Sequence, residues 1–174
     1  MLFRSTASQP EIIAEDLGAV VPEAVALREL CGFPGIRLLQ FAFGDDADGR
    51  HNLPHNCPAA CVVYPGTHDN ETTVGWFRSL RGSAEGRETR ARALRYLGAS
   101  GREIHWDLIR AALASPASTA IVPVQDLLGL GNQARTNTPA KARGNWQWRL
   151  QPGQLTPALA RRLRALSETF ERTR

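Results

Sequence analysis

Residues 61–77 read CVVYPGTHDNETTVGWF. Four apolar residues run into a Pro-Gly break, then His68, Asp69 and Asn70 cluster before a helical pattern begins. An apolar run that does not alternate is how a strand buried on both faces reads. A strand followed by a helix is the repeating unit of parallel sheets. The polar cluster between them falls at the strand's C-terminal edge, where parallel α/β folds keep their working groups.

Three further runs have the same character: EIIA at 11–14, IRLLQF at 36–41 and TAIVPV at 119–124. Between the first two, VPEAVALRELCG carries Pro22 at a helix-opening position, apolar Val25, Leu27 and Leu30, and Gly32 as a stop. Helical patterns also cover ETTVGWFRSL, SAEGRETRARALRYLG, and GREIHWDLIRAALAS with Ile104, Leu108 and Ala112 four apart. A last amphipathic helix, TPALARRLRALSETF, puts Leu155, Leu159, Leu163, Leu166 and Phe170 on one stripe. The expectation is an α/β fold with about four parallel strands and intervening helices. A (β/α)₈ barrel takes about 250 residues and eight strands, so 174 residues with four strands read as the C-terminal half of a TIM barrel. A compact doubly wound four-stranded sheet is the alternative. No repeat, low-complexity segment or linker divides the chain, so residues 1–174 form one expected domain.

With 43% hydrophobic and 22% charged residues the composition is that of an ordinary globular chain. No stretch approaches the ~20 apolar residues that cross a bilayer, and MLFRSTASQP has no apolar signal-like core. The expectation is a cytoplasmic protein with no membrane partner. The net charge of +4 invites nucleic acid as a ligand, but the arginines alternate with Glu and apolar residues at helical spacing, as on a solvated face. No nucleic-acid partner is expected. Three cysteines do not make a disulfide framework. His51, His55, Cys57 and Cys61 lie close in HNLPHNCPAAC, but Cys61 opens an apolar strand and reads as a buried thiol, so no metal site is expected.

Each expected strand ends on polar or aromatic groups: Glu15 and Asp16, Gln40 and Phe41, His68 to Asn70, Gln125 and Asp126. Two carboxylates at one edge suit glycosidic chemistry, in which an acid protonates the leaving oxygen and a second carboxylate stabilises or traps the oxocarbenium ion. Apolar neighbours and the adjacent Asp16 charge would help Glu15 keep a proton. Adjacent residues of an extended chain face opposite ways, however, and on residue types alone the pair also reads as a solvated strand end feeding a helix.

Several longer motifs then resemble one family in order and spacing: IIAEDLG, GFPGIRLLQFAFG, NLPHN, VVYPGTHDNETTVGW, PVQDLLGLG and GNWQWR. These are similar to the 4-α-glucanotransferases, glycoside hydrolase family 77, over residues 10–150, with residues 1–9 divergent and 155–172 a C-terminal helix. The resemblance implies retaining transfer of α-1,4-glucan segments between malto-oligosaccharides or starch-like glucans, with no metal or organic cofactor. By that resemblance Glu15 is the general acid/base and Asp69 the carboxylate that holds sugar hydroxyls and stabilises the transition state. His68 is its hydrogen-bonding neighbour, Asp16 a substrate-contacting acid, Phe41 an aromatic wall and Asn137 part of a sugar-binding loop. Trp146 and Trp148 either stack on sugars or pack together, and packing is the preferred reading. Thr136 stands where the family pattern has Met. The family's nucleophile lies on a strand upstream of the acid/base, so the resemblance implies a C-terminal portion without it. Self-association through exposed half-barrel edges is then expected. Rival readings are an inactive half-barrel and a glycan-binding module.

Overall fold

The computed structural model describes residues 12–18, 21–45 and 47–173. Three strands form one parallel sheet in the order β1 (Gly35–Leu38), β2 (Cys61–Tyr64), β3 (Thr119–Ala120). Ile36 lies beside Val62 and Leu38 beside Tyr64, while Val63 lies beside Ala120. Helix α1 (Pro22–Leu30) precedes β1, and the short α2 (Ala47–His51) lies between β1 and β2. Three helices, α3 (Thr73–Ser79), α4 (Ala84–Leu97) and α5 (Ile104–Leu113), connect β2 to β3. After β3 come α6 (Val124–Leu127) and, near the end of the chain, α7 (Pro157–Thr169).

The local chemistry of these helices is the ordinary kind. Thr72, Ser83 and Thr156 each accept a backbone N–H of the first turn, at 3.1, 2.9 and 3.2 Å, in α3, α4 and α7. Gly98 ends α4 in the left-handed conformation, φ 59°, where a side chain would be strained.

Strand alternation divides the sheet into two unlike faces. Cys61 and Val63 of β2 point into a core with Trp76 and Phe77 of α3, Ala93 and Leu97 of α4, and Ile104, Leu108 and Ala112 of α5. Val62 and Tyr64 point the other way, as do their partners Ile36 and Leu38. A second apolar cluster joins Trp106, Ile109 and Leu113 of α5 to Leu159, Leu163, Leu166 and Phe170 of the α7 region. Leu155, expected on the same stripe, precedes the helix and is exposed. Arg172 closes this end by donating to the carbonyls of Leu113, Ala117 and Ser115 at 2.9, 2.6 and 2.5 Å.

Where about four strands were expected, the sheet has three among the described residues. The segment expected as a strand at 11–14 begins at a residue outside those described, as does the divergent start at 1–9. Residues 12–14 are not a strand, although Ala14 N–H donates to Pro34 O at 2.9 Å. At the next step the Ile36 N–H goes to the Asp16 side chain, at 2.6 Å, rather than to a neighbouring backbone carbonyl. A carboxylate that takes a strand's donor interrupts the ladder there. The run at 36–41 leaves the sheet after Leu38 in a 3₁₀ turn, Leu39–Phe41. The run at 119–124 stops early because Pro123, with no N–H, becomes the cap of α6.

Candidate active site

The sheet face opposite the Cys61 and Val63 core opens into a cleft of about 310 Å³ at the C-terminal ends of the strands. Glu15 lines it from the segment before α1, Ile36 from β1 and Tyr64 from β2. Thr67, His68 and Asn70 line it from the loop after β2, and Gln125 and Asp126 from α6. Glu15 is exposed. The Tyr64 hydroxyl is held above its ordinary acidity range, first by burial and then by the charge of Glu15.

The loop that carries His68 and Asp69 is pinned from several sides. Asn70 Oδ1 accepts from Thr67 N at 2.9 Å and from Thr67 Oγ1 at 2.6 Å, reaching back across the loop. Gln40 Nε2 donates to Glu71 O at 2.9 Å, and Asp126 Oδ1 accepts from Thr73 N at 2.7 Å. Gly66 has no room for a Cβ, which would collide with the Gln40 amide. Asp126 is 1% exposed, and burial pushes its carboxyl up to about 6, the Thr73 hydrogen bond offsetting part of that rise.

Asp69 is not among the residues that line the cleft, although its chain neighbours His68 and Asn70 are. Asp69 Oδ1 accepts from Asn137 Nδ2 at 2.5 Å and lies 3.2 Å from His68 Nε2. Arg135 ties the two loops together, donating to Asp69 O and Asn137 O, both at 2.7 Å, and Asn137 N–H donates to His68 O at 3.0 Å. The structure therefore brings Asp69, His68 and Asn137 into one cluster, and places His68 and Glu15 along one cleft.

Asp16 and Phe41 are elsewhere. Both line a second cavity, of about 690 Å³, between α1, β1 and α2. Asp16 lies 3.4 Å from Arg28 Nε and 3.5 Å from Arg37 Nη1, and its carboxylate fills the space above Gly35 where a Cβ would stand. Neighbours on an extended chain point to opposite sides, and that separates Asp16 from Glu15. Phe41 is 46% exposed on its 3₁₀ turn.

Two cleft residues escaped the sequence reading. Tyr64 is the last residue of an apolar run, and only its alternation with Val63 marks it as facing away from the helices. Arg135 bonds through backbone carbonyls, which leave no trace in residue types. Cys57 and Cys61 are both buried in the core, while His55 is exposed and stacks on Tyr96 with Nδ1 2.7 Å from the phenol oxygen. Among the described residues, no group of three His, Cys, Asp or Glu is placed to hold a metal ion. Among those residues, too, no helix is long and apolar enough to cross a membrane.

A parallel sheet with helices on one face and charged groups gathered beyond its strand ends defines an α/β protein of the kind that binds or transforms ligands at that edge. The chain belongs to the 4-alpha-glucanotransferase family, glycoside hydrolase family 77, whose sequence profile matches residues 2–156. It is 46% identical over 166 residues to the 4-alpha-glucanotransferase of Thermus thermophilus, covering 92% of this chain and 33% of that protein. It is 50% identical over 141 residues to a chloroplastic/amyloplastic 4-alpha-glucanotransferase of Arabidopsis thaliana, covering 80% of this chain and 23% of that protein. Its structure is similar to the amylomaltase from Streptococcus agalactiae solved in complex with acarbose, with a TM-score of 0.84 and 33% identity over 93% of this chain and 32% of that one. The chain thus spans about a quarter to a third of the length of these relatives.

Proposed function

We propose that this chain is the acid/base-bearing, C-terminal half of a (β/α)₈ barrel that transfers α-1,4-glucan segments with retention. The observation that carries the reading is the cleft that Glu15 and His68 share on the sheet face opposite the Cys61 and Val63 core, in a chain of this family. A complete barrel encloses such a face. The exposed Ile12, Ile13, Val21, Leu27 and Leu30 fit a surface that the remaining strands and helices cover, and the same surface would drive self-association when uncovered.

In this scheme Glu15 donates a proton to the glycosidic oxygen as the bond to the anomeric carbon breaks. A carboxylate from the part of the family's length that this chain does not span takes the anomeric carbon into a glycosyl ester. Glu15, now a carboxylate, removes the proton from the 4-hydroxyl of a second glucan. That oxygen attacks the anomeric carbon, the ester carboxylate leaves, and the α-linkage is restored. Asp69 accepts hydroxyls of the sugar undergoing reaction, with Asn137 and His68 fixing its Oδ1 so that little reorientation is needed as charge develops. Asp16 and Phe41 line the second cavity instead, and Asp16 bears on the cleft only by holding β1 through the Ile36 N–H.

The test is complementation. Residues 1–174 alone should show no disproportionation of maltotriose. Mixing them with a polypeptide carrying the part of the Thermus thermophilus relative's length that this chain does not span should generate it. Glu15→Gln in this chain should then lower the rate by on the order of 10³-fold. A complemented pair indifferent to Glu15→Gln overturns the acid/base assignment.

A further inference from the structure

Of the four tryptophans, Trp76 and Trp106 are buried and Trp148 is half-buried, but Trp146 is 57% exposed. Its backbone is left-handed, φ 61°, a conformation that a bulky side chain adopts only under constraint. The constraint is visible. Trp146 N–H donates to Thr136 O at 2.7 Å, and Arg149 Nη1 donates to Trp146 O at 2.9 Å. Next to it the Asn145 side chain accepts from Thr138 N at 2.9 Å and donates to Lys141 O at 2.9 Å, which shapes the loop between the two anchor points. The indole rests against the His68 ring, centroids 5.0 Å apart and planes tilted by 39°. Thr136 and His68 both line the cleft.

An indole held this way does not gain from burial, and the backbone works against a steric preference to hold it. Strain that the surroundings impose on one residue beside a cleft marks a position that matters for what the cleft binds. A large, stiff aromatic face open to solvent and fixed against a cleft residue, His68, suits a ligand with a flat, weakly polar surface carrying hydroxyls at its edge. The C–H face of a pyranose is such a surface.

We infer that Trp146 is a stacking platform for a glucose unit of a glucan lying in the Glu15–His68 cleft. The inference rests on the glucan reading above and extends it to a residue which that reading leaves aside. Trp146 leans on His68, so a sugar stacked on its open side lies next to the unit that His68 and Asp69 hold. The platform thereby sets the register of the chain across the acid/base.

The experiment uses residues 1–174 labelled with 5-fluorotryptophan, titrated with maltoheptaose and separately with cellohexaose, with backbone amides of residues 67–70 followed in parallel. Trp146→Asn removes the aromatic face but keeps a residue that tolerates the left-handed backbone, and Trp146→Tyr restores a face. The resonance lost in Trp146→Asn should shift on adding maltoheptaose. Affinity should fall about tenfold in that variant, as expected for one stacked aromatic contact, and recover most of the way in Trp146→Tyr. Maltoheptaose that moves the amides of 67–70 but neither shifts Trp146 nor binds Trp146→Asn more weakly overturns the platform and leaves the glucan reading standing. A Trp146 response to cellohexaose equal to that with maltoheptaose supports stacking and overturns the α-glucan assignment. No response anywhere overturns both.

Discussion

The span from β2 to α6 and the span from Ile12 to Phe33 are both rich in apolar side chains, yet they are folded very differently. In the first, Cys61, Val63, Leu108 and Ala112 are fully buried, and three helices interlock over one sheet face. In the second, α1 has no buried residue; Leu27 is 61% and Leu30 85% exposed. The contrast shows what an amphipathic pattern does and does not specify. The spacing of Val25, Leu27 and Leu30, with Pro22 and Gly32 at the ends, is enough to make a helix. Whether its apolar side is covered depends on a surface elsewhere, and among the described residues that surface is missing.

The sharpest way to break this contrast is a pair of truncations. Leu108→Ala empties space that three helices and the sheet close around, and should cost about 2–5 kcal/mol. Leu30→Ala should cost less than about 0.5 kcal/mol, since its side chain already meets water. Urea unfolding of both variants of residues 1–174 reads the difference. Comparable losses would mean that α1 is buried against something in solution, a second copy included.

The next effect concerns Asp126, the buried charge of the well-packed span. Its carboxyl is pushed up to about 6 by burial, from an ordinary 3.8. Between those values the folded chain holds a proton that the unfolded chain has released. The stability contributed by this group is therefore complete at low pH and is lost as pH rises through about 6, to the extent of about 3 kcal/mol. Asn at this position keeps an acceptor for Thr73 N–H and carries no charge. Asp126→Asn should thus match the parent near pH 4 and become the more stable of the two by pH 7, in urea titrations at four or five pH values. Curves that stay parallel across that range would show the carboxyl to be better solvated than its 1% exposure suggests.

The smallest effect belongs to the tether of the open span. Asp16 takes the Ile36 N–H and meets Arg28 and Arg37. Asp16→Ala should cost about 1–3 kcal/mol, felt locally: hydrogen exchange should quicken at Ile36 and in α1, while amides of α5 keep their protection. A uniform loss of protection would merge the two spans into one cooperative unit.

Much of this organisation can be read in the residues, for reasons that differ by element. Helices α4, α5 and α7 follow from three-to-four spacing and from Ser83, Gly98 and Thr156 at their ends. The parallel sheet follows from non-alternating runs separated by helices. The missing fourth strand could not be read, because its failure turns on one carboxylate replacing a backbone carbonyl as the acceptor for Ile36. Of the site, Glu15 and His68 were legible as strand-end groups sharing a cleft. The clustering of Asp69 with Asn137 was legible only as a resemblance, since 68 residues separate them and Arg135 holds them through main-chain oxygens. The openness of Trp146 was not legible at all: the i, i+2 spacing with Trp148 suggests two rings on one side, and the left-handed backbone at Trp146 undoes that.

Gly35 and Asp16 leave a different kind of mark. The Asp16 carboxylate occupies the volume that any side chain at 35 would need, so neither position can vary freely while the other stays as it is. In inheritance the two should behave as a single character: lineages that keep the acid keep the glycine, and one that acquires a side chain at 35 must first lose or shorten the residue at 16. Because Glu15, the acid/base proposed above, is the next residue along the chain, drift in β1 would be transmitted to it. On that proposal, a strand position with no chemistry of its own is kept under the selection that acts on the proposed site.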